Sequence, residues 1–270
     1  MKSRSRPVAK KNVPTKDTAR KTKKLGGTPV YEGWSILLKF GQREHLQAFR
    51  ETGLLYMNSQ RYFAERGLAS DAVRADRFEG SDRIIQPWDI KRMTFSQKDG
   101  PPLEILPPQF VGPVLISFGG DHAWNIFCMF ALTYPFPSTL IDERNFAFGD
   151  SFIMVLNTQA FIDRTRKAAV AAGFGWKCGP VEYLDYEKHS GETGPFRKPQ
   201  EFAFQKEFRI AVRPGSRDPI LLKVGDLTDI TTPIFTLAKI NTLIEIRNRP
   251  KSVIGRKFAV PMREFEGHKP

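Results

Sequence analysis

Runs of apolar residues with the spacing of β-strands occur throughout residues 34–248. Some runs alternate apolar and polar side chains, which predicts strands with one buried face, whereas others are continuously apolar, which predicts burial on both faces. The runs are residues 34–40, 54–58, 114–118, 124–132, 151–156, 181–186, 201–212, 219–224, 233–240 and 241–248. So many strands in one continuous region predict a β-rich fold.

Helical spacing is confined to two segments. Residues 42–52 repeat apolar side chains three positions apart, and residues 158–172 follow Asn157 and Thr158, either of which caps a helix. Many strands with two helices argue against a doubly wound sheet. The sequence therefore predicts an α+β fold with a bent, mainly antiparallel β-sheet core and few helices.

Residues 201–212, EFAFQKEFRIAV, are the stretch that most resembles a reaction centre. Read as one strand, the segment places Gln205, Glu207 and Arg209 opposite its apolar side chains. The apolar row comprises Phe202, Phe204, Phe208, Ile210 and Val212. An amide, a carboxylate and a guanidinium roughly 6 to 7 Å apart along a strand suit one small charged ligand. The alternative is that these three side chains form the solvated face of a half-buried strand.

Polar residues at the ends of the first two strands are further candidates. Lys39 lies near the end of a mostly apolar strand, where its ammonium either meets a ligand or reaches solvent. Asn58 and Ser59 close the next strand, and Tyr62 and Phe63 follow it. These four residues either belong to a binding site or serve turn formation and core packing.

Residues 64–112 are rich in charge, proline and glycine. This composition predicts a long irregular segment, with short strands around Ile84 and Met93. Long loops are often functional, so Asp76 and Glu79 are candidates here. They either hold a substrate or cap a turn.

Several common site motifs are missing from the chain. The four histidines are scattered without metal-ligand spacing, and there is neither a P-loop nor a strand-linked GxGxxG. Residues 173–179, GFGWKCG, are interpreted as a helix stop followed by a loop. Cys128 and Cys178 do not form a CxxC pair, which fits a reducing cytoplasm, and Cys128 is expected to be a small buried hydrophobe.

The charge of the chain is concentrated near its start. Residues 1–24 hold ten Lys or Arg and one Asp, a net of +9 out of the total of +13. This stretch lacks aromatic residues and apolar periodicity, so residues 1–33 are predicted to form a disordered basic tail that attracts RNA or DNA, with the globular domain spanning residues 34–270. The tail has no apolar region of a secretory signal, and no window approaches the roughly 20 apolar residues of a membrane span.

The chain resembles a family of uncharacterised bacterial proteins, some of them linked to phage defence. The resemblance rests on an ordered set of segments that covers roughly residues 36–213. The segments are LLKFGQREHLQAFRETGLLYMNSQRYF, DRFEG, WNIFCMFA, VEYLDY and FRKPQEFAFQKEFRIAV. The strand, helix and strand predicted at the start of this region also resemble the start of the ADP-ribosyltransferase fold.

The resemblance to that fold implies roles for particular residues. A later strand of the fold carries the catalytic Glu, often as Q-x-E, which Gln205 and Glu207 match. A basic or imidazole residue on the first strand and a Ser or Tyr site on the next frame NAD. The residues of this chain at the cofactor-binding positions are Lys39, Ser59, Tyr62, Phe63 and Arg209.

Two hypotheses of different class follow. The first is an NAD-dependent ADP-ribosyltransferase, a toxin or defence effector that modifies nucleic acid or a translation component. The second is a non-enzymatic nucleic-acid or ribonucleoprotein binding protein, in which Gln205, Glu207 and Arg209 form a structural ladder and the tail supplies affinity. Lys39 favours the second hypothesis, because Lys offers a point charge where the fold usually has Arg or His.

Overall fold

The computed structural model describes residues 23–25, 28–30, 35–67, 76, 78–118, 123–133 and 141–243. The chain divides into two compact units, one of residues 1–32 and 249–270 and the other of residues 33–248. In the first unit, β1 (Lys23–Leu25) and β2 (Thr28–Val30) pair antiparallel. The predicted disordered tail, residues 1–33, otherwise lies outside the described residues.

The larger unit is rich in strands. In chain order they are β3 (Ser35–Gly41), β4 (Leu54–Ser59), β5 (Arg83–Ile85), β6 (Met93–Phe95), β7 (Leu103–Ile105), β8 (Val114–Ile116), β9 (Asn125–Thr133), β10 (Ser151–Val155), β11 (Gly175–Pro180), β12 (Glu182–Leu184), β13 (Gly191–Glu192), β14 (Arg197–Pro199), β15 (Glu207–Arg213), β16 (Ile220–Lys223) and β17 (Phe235–Thr236). The predicted short strands around Ile84 and Met93 are β5 and β6.

Eight of these strands form one antiparallel sheet. Its order is β11-β15-β9-β3-β10-β17, while β4 also joins β9 and β16 joins β4. Smaller antiparallel sheets unite β13, β5 and β8, and β6 with β7, whereas β12 and β14 pair in parallel. The prediction of a mixed fold with mainly antiparallel sheets is thus confirmed.

Helices are few, as predicted. They are α1 (Arg43–Thr52), α2 (Gln60–Gly67), α3 (Thr158–Ala171) and α4 (Ile240–Leu243). Short 3-10 helices occur at Pro87–Asp89, Pro107–Gln109, Glu143–Phe148, Gly194–Phe196, Gln200–Gln205 and Leu237–Lys239. No helix in the described part of the chain is long and apolar enough to cross a membrane.

The ends of the two longer helices follow from local chemistry. Asn157 caps α3 by accepting a hydrogen bond from the Ala160 backbone N–H at 3.0 Å. Gly53 ends α1 in the left-handed conformation, with φ of 62°. A Cβ at Gly53 would lie 2.0 Å from the carbonyl oxygen of Gly225, so only glycine fits this close approach.

The helices α1 and α3 cover one face of the large sheet. Phe49 of α1 and Phe161 of α3 are buried in the same apolar cluster as Phe208 and Ile210 of β15. Burying a side chain of this size contributes roughly 1.5–3 kcal/mol. The side chains on the other face of β15 therefore point away from this apolar cluster.

Three sequence interpretations are corrected by the fold. Residues 201–205 form a 3-10 helix and not a strand, because Lys206 turns the chain with a left-handed φ of 40° before β15 begins. Gly175–Pro180 is strand β11 and not a loop, since it pairs with the free edge of β15. Of the last two predicted strands, residues 233–240 and 241–248, only Phe235–Thr236 is a strand, β17. Leu237–Lys239 form a 3-10 helix and Ile240–Leu243 form α4, whereas residues 244–248 lie outside the described residues.

Candidate functional site

The two faces of β15 carry opposite chemistry. Phe208, Ile210 and Val212 pack into the apolar core under α1 and α3. Glu207 and Arg209 lie on the other face and are also buried, with 8% and 2% of their surface exposed. The alternative of a solvated polar face is therefore wrong. Because buried charges need partners, these two side chains must find them within the protein.

Arg209 is the centre of a buried ion-pair network. Its Nη1 and Nη2 donate to the two carboxylate oxygens of Glu79, both at 2.9 Å, and its Nε donates to Glu207 Oε2 at 2.6 Å. Nη1 also donates to the Pro195 carbonyl at 2.7 Å. One planar guanidinium thus holds two carboxylates in a forked geometry that a lysine cannot supply.

Lys198 of β14 completes the network. Its Nζ donates to Glu207 Oε1 at 2.9 Å and to Gln205 Oε1 at 2.6 Å, and it lies 4.6 Å from the centre of the Phe202 ring. Lys198 is only 4% exposed. Both oxygens of Glu207 are therefore paired with cations, and Gln205 is joined to Glu207 through Lys198 and not by alternation along one strand.

The backbone around Glu207 is held on both sides. The Glu207 N–H donates to the Tyr183 hydroxyl at 2.8 Å, and the carbonyl of Lys206 accepts from the Ala131 N–H at 2.8 Å. These contacts fix the point where the chain leaves the 3-10 helix and enters β15. The carboxylate therefore projects from a rigid position.

The network also sets the charge state of its members. Burial by itself raises the pKa of Glu207, but the charges of Arg209 and Lys198 outweigh that effect and hold its pKa well below the usual range. Burial by itself lowers the pKa of Arg209, but the charges of Glu207 and Glu79 outweigh that effect and raise its pKa well above the ordinary value. Glu207 is thus a carboxylate and Arg209 a cation at every physiological pH.

Asp76 interacts electrostatically with this network and is 2% exposed. Its Oδ1 accepts a hydrogen bond from the Phe78 N–H at 2.9 Å, whereas its Oδ2 has no hydrogen-bond partner among the described residues. Burial, followed by the charge of Glu79, raises the pKa of Asp76 to about 7. Of the two candidates in this segment, Asp76 caps a turn and Glu79 pairs with Arg209.

A cavity of about 220 Å³ opens onto the network. It brings together five of the seven residues to which the resemblance gives a role, namely Lys39, Phe63, Gln205, Glu207 and Arg209. The other lining residues are Phe40, Tyr56, Asn58, Glu79, Ile126, Cys128, Met129, Phe130, Asn145, Phe148 and Lys198. Cys128 is only partly buried, and not fully buried as predicted, because it borders the cavity. Burial still raises the pKa of its thiol to about 12, so the thiol is neutral.

One wall of the cavity is a gap in the sheet. On one edge, β9 pairs with β3 through residues 130–133 and with β4 through residues 125–126. Among the described strands, none pairs with residues 127–129 on this edge. Lys39 spans the gap, since its Nζ donates to the Cys128 carbonyl at 2.8 Å and lies 4.4 Å from the centre of the Phe127 ring.

Ser59 and Tyr62 lie outside the lining of the cavity. Ser59 is 4% exposed, and its hydroxyl accepts a hydrogen bond from the Tyr62 N–H at 3.1 Å, at the start of α2. The Tyr62 ring packs edge-on against Phe63, with 5.3 Å between ring centres. Of the residues expected around the second strand, Asn58 and Phe63 reach the cavity.

Sequence reasoning missed Lys198, which contacts both Gln205 and Glu207. The signal that points to it is its place in the segment FRKPQEF, between aromatic residues and directly before Pro199. Asn145 was also missed. It is 1% exposed and donates from Nδ2 to the carbonyl of Phe204 at 3.1 Å, which joins the two 3-10 helices beside the cavity.

No family model matches the chain, and neither a curated protein nor a solved structure matches it. Within the described part of the chain, no three His, Cys, Asp or Glu side chains are grouped so that they could hold a metal ion. The case for a function therefore rests on the residues of the cavity and on their geometry.

Proposed function

We propose that the cavity binds the nicotinamide and ribose part of NAD and that the protein is an ADP-ribosyltransferase. The observation that carries this proposal is the convergence of Lys39, Phe63, Gln205, Glu207 and Arg209 on one cavity. These residues come from β3, α2, a 3-10 helix and β15, so motif order alone does not require that they meet.

The dimensions of the cavity agree with such a ligand. Its volume of about 220 Å³ is smaller than the roughly 300–1,000 Å³ of pockets that bury a drug-sized ligand. It suits one aromatic ring with its sugar, while the rest of a dinucleotide lies outside. Phe63 offers an apolar surface against which the nicotinamide ring packs.

The charge of the lining also agrees. Lys39, Lys198 and Arg209 are three cations, against the two carboxylates Glu79 and Glu207. The excess of positive charge favours an anionic ligand, such as one that carries a diphosphate. Lys39, at the gap between β3 and β4, is the cation placed to meet that diphosphate or the ribose.

The residues then have distinct roles. Bound NAD supplies a ribose whose bond to nicotinamide breaks, with the bonding electron pair leaving on nicotinamide. Glu207, a fixed carboxylate, stabilises the positive charge that develops on the ribose. Gln205, oriented by Lys198, positions the acceptor, whose nucleophilic atom bonds to the ribose and loses a proton. The acceptor that we propose is a nucleic acid or a translation component.

The test is nicotinamide release from NAD together with transfer of label from NAD to RNA, DNA or protein in a lysate. Glu207→Gln keeps the shape but removes the charge, and losing such a stabiliser typically lowers the rate by about 10² to 10³. Glu201→Gln, at an exposed position of the same segment, is the matched control and should keep full activity. Melting temperatures verify that both variants are folded.

The proposal fails if the parent protein neither releases nicotinamide nor labels a macromolecule, or if folded Glu207→Gln is as active as the parent. One observation favours the second candidate, a non-enzymatic binding protein, since both oxygens of Glu207 are already paired with Lys198 and Arg209. The melting temperature measured with and without NAD distinguishes the enzyme from the binding protein. A ligand at 100 times its Kd stabilises a protein by about 2.7 kcal/mol, so NAD should raise the melting temperature of the enzyme. A degenerate site does not bind NAD, and the melting temperature should then stay unchanged.

A further inference from the structure

A second group of charges lies at the far end of β15. The Arg213 Cζ is 5.0 Å from the centre of the Trp124 ring, and the Lys177 Nζ is 5.6 Å from the same ring centre. Both cationic side chains are exposed, whereas Trp124 is 6% exposed. The buried indole therefore supports two cations that face solvent.

Strand geometry places this pair on the same face of the sheet as the cavity. Side chains at alternate positions of β15 point to one face, so Arg213 lies on the side of Arg209 and Glu207. Lys177 is the cross-strand partner of Ala211, which belongs to the same row. Arg213 lies four residues beyond Arg209, roughly 13 Å further along the strand.

Aromatic side chains connect the pair to the cavity. Trp124 belongs to a small apolar cluster on this face, against which Phe63 and Phe196 pack while remaining half-buried. Phe63 also lines the cavity. The order along the face is therefore two exposed cations, then partly exposed aromatic rings, then the cavity with its charged network.

Within the described part of the chain, the two cations have no acidic partner. Among the described residues, no carboxylate forms an ion pair with Lys177 or Arg213. Because both charged groups lie close to the Trp124 ring, the distance between the Lys177 Nζ and the Arg213 Cζ cannot exceed the sum of their distances to the ring centre. This upper limit is comparable with the screening length of about 8–10 Å in physiological salt. The like charges therefore repel, and an anion that contacts both relieves the repulsion.

We propose that Lys177 and Arg213 bind the phosphodiester backbone of a single-stranded nucleic acid and lead it towards the cavity. Arg and Lys are the residues that bind phosphate, and rows of cations beside aromatic rings are how proteins hold single strands, whose bases are free to stack. A duplex keeps its bases inside, so it would use the cations but not the partly exposed ring of Phe196. The proposal adds a binding surface to the proposed function and does not depend on NAD.

The experiment measures binding of the full chain to a fluorescent single-stranded oligonucleotide at several salt concentrations, with DNA, RNA and duplex arms. The test variant is Lys177→Gln with Arg213→Gln. The matched control is Arg43→Gln with Lys167→Gln, two exposed cations on α1 and α3, which cover the opposite face of the sheet. Both variants lose the same charge, so any contribution of residues 1–24 is equal in the two.

The slope of log K against log[salt] should become shallower by about 1.4 in the test variant, because each of two lost phosphate contacts on a single strand contributes about 0.7. In the control variant the slope should stay near the parent value. Because all four residues are exposed, the melting temperatures of the two variants should match the parent. Equal slopes in test and control variants overturn the proposal, as does absence of binding by the parent. A loss confined to the duplex overturns the assignment to a single strand, and the DNA and RNA arms identify the preferred strand.

Discussion

Two arginine–carboxylate pairs in this molecule share a forked geometry but differ in their surroundings. The side chains of Arg209 and Glu79 are both 2% exposed, whereas those of Arg164 and Asp229 are 33% and 58% exposed. An exposed pair is typically worth about 0–1 kcal/mol, yet removing one partner of a buried pair costs about 3–5 kcal/mol. Burial, and not hydrogen-bond geometry, therefore decides what each pair contributes.

The comparison also points to a candidate site in the molecule. Taking Arg209, Glu79, Glu207 and Lys198 out of water costs free energy that an apolar cluster avoids. On the opposite face of β15, Phe208 and its neighbours are buried in an apolar cluster, which has no such cost. A buried polar network beside a cavity, on a strand whose other face is apolar, marks a candidate functional site.

The largest expected effect is at Arg209. Arg209→Met should lower the free energy of unfolding by about 3–5 kcal/mol, because it leaves Glu79 and Glu207 buried without this cation. Adding Glu79→Gln to Arg209→Met should cost less than the sum of the two single changes, since the neutral amide no longer needs the cation. Urea denaturation measures both values. A loss below about 1 kcal/mol for Arg209→Met would mean that water reaches the pair, as it does at the surface.

A smaller, pH-dependent effect is expected at Asp76. Its pKa is raised to about 7 in the folded protein from an ordinary value of 3.8, so the folded state holds the proton more tightly than the unfolded chain. This carboxyl therefore makes the protein less stable as pH rises from about 4 to about 7. The cost is limited, because the group takes up a proton instead of remaining a buried unpaired charge.

Asp76→Asn keeps an oxygen for the Phe78 N–H and removes the titration. Thermal unfolding across this pH range should show the variant gaining stability relative to the parent as pH rises. Asp99→Asn, in an exposed turn, is the control and should show no such trend. A difference between Asp76→Asn and the parent that is constant with pH would contradict the raised pKa.

The smallest effect is expected at the exposed pair. Arg164→Gln should lower the free energy of unfolding by about 0–1 kcal/mol, because Asp229 is rehydrated when its partner is removed. The effect should shrink further in high salt, which screens surface charges. Urea denaturation at two salt concentrations provides the measurement. A cost as large as that of Arg209→Met would remove the distinction between the two environments.

Local sequence patterns were sufficient for much of the fold. The helices near residues 42–52 and 158–172 were predicted because their apolar spacing and their caps lie within a few residues of each other. The strand β9 was predicted from its continuous apolarity, which matches its burial on both faces. The strand β11 was missed, since its glycines resemble a loop and its pairing with β15 depends on distant residues.

The sequence by itself determined that Glu207 and Arg209 share one face of a strand, because alternation is a property of the extended backbone. Only the tertiary structure decided that this face is buried. Glu79 reaches Arg209 from 130 residues earlier in the chain, and Lys39 reaches Cys128 across 89 residues. No local pattern encodes such contacts, since they form only when the sheet assembles and removes the charged groups from water.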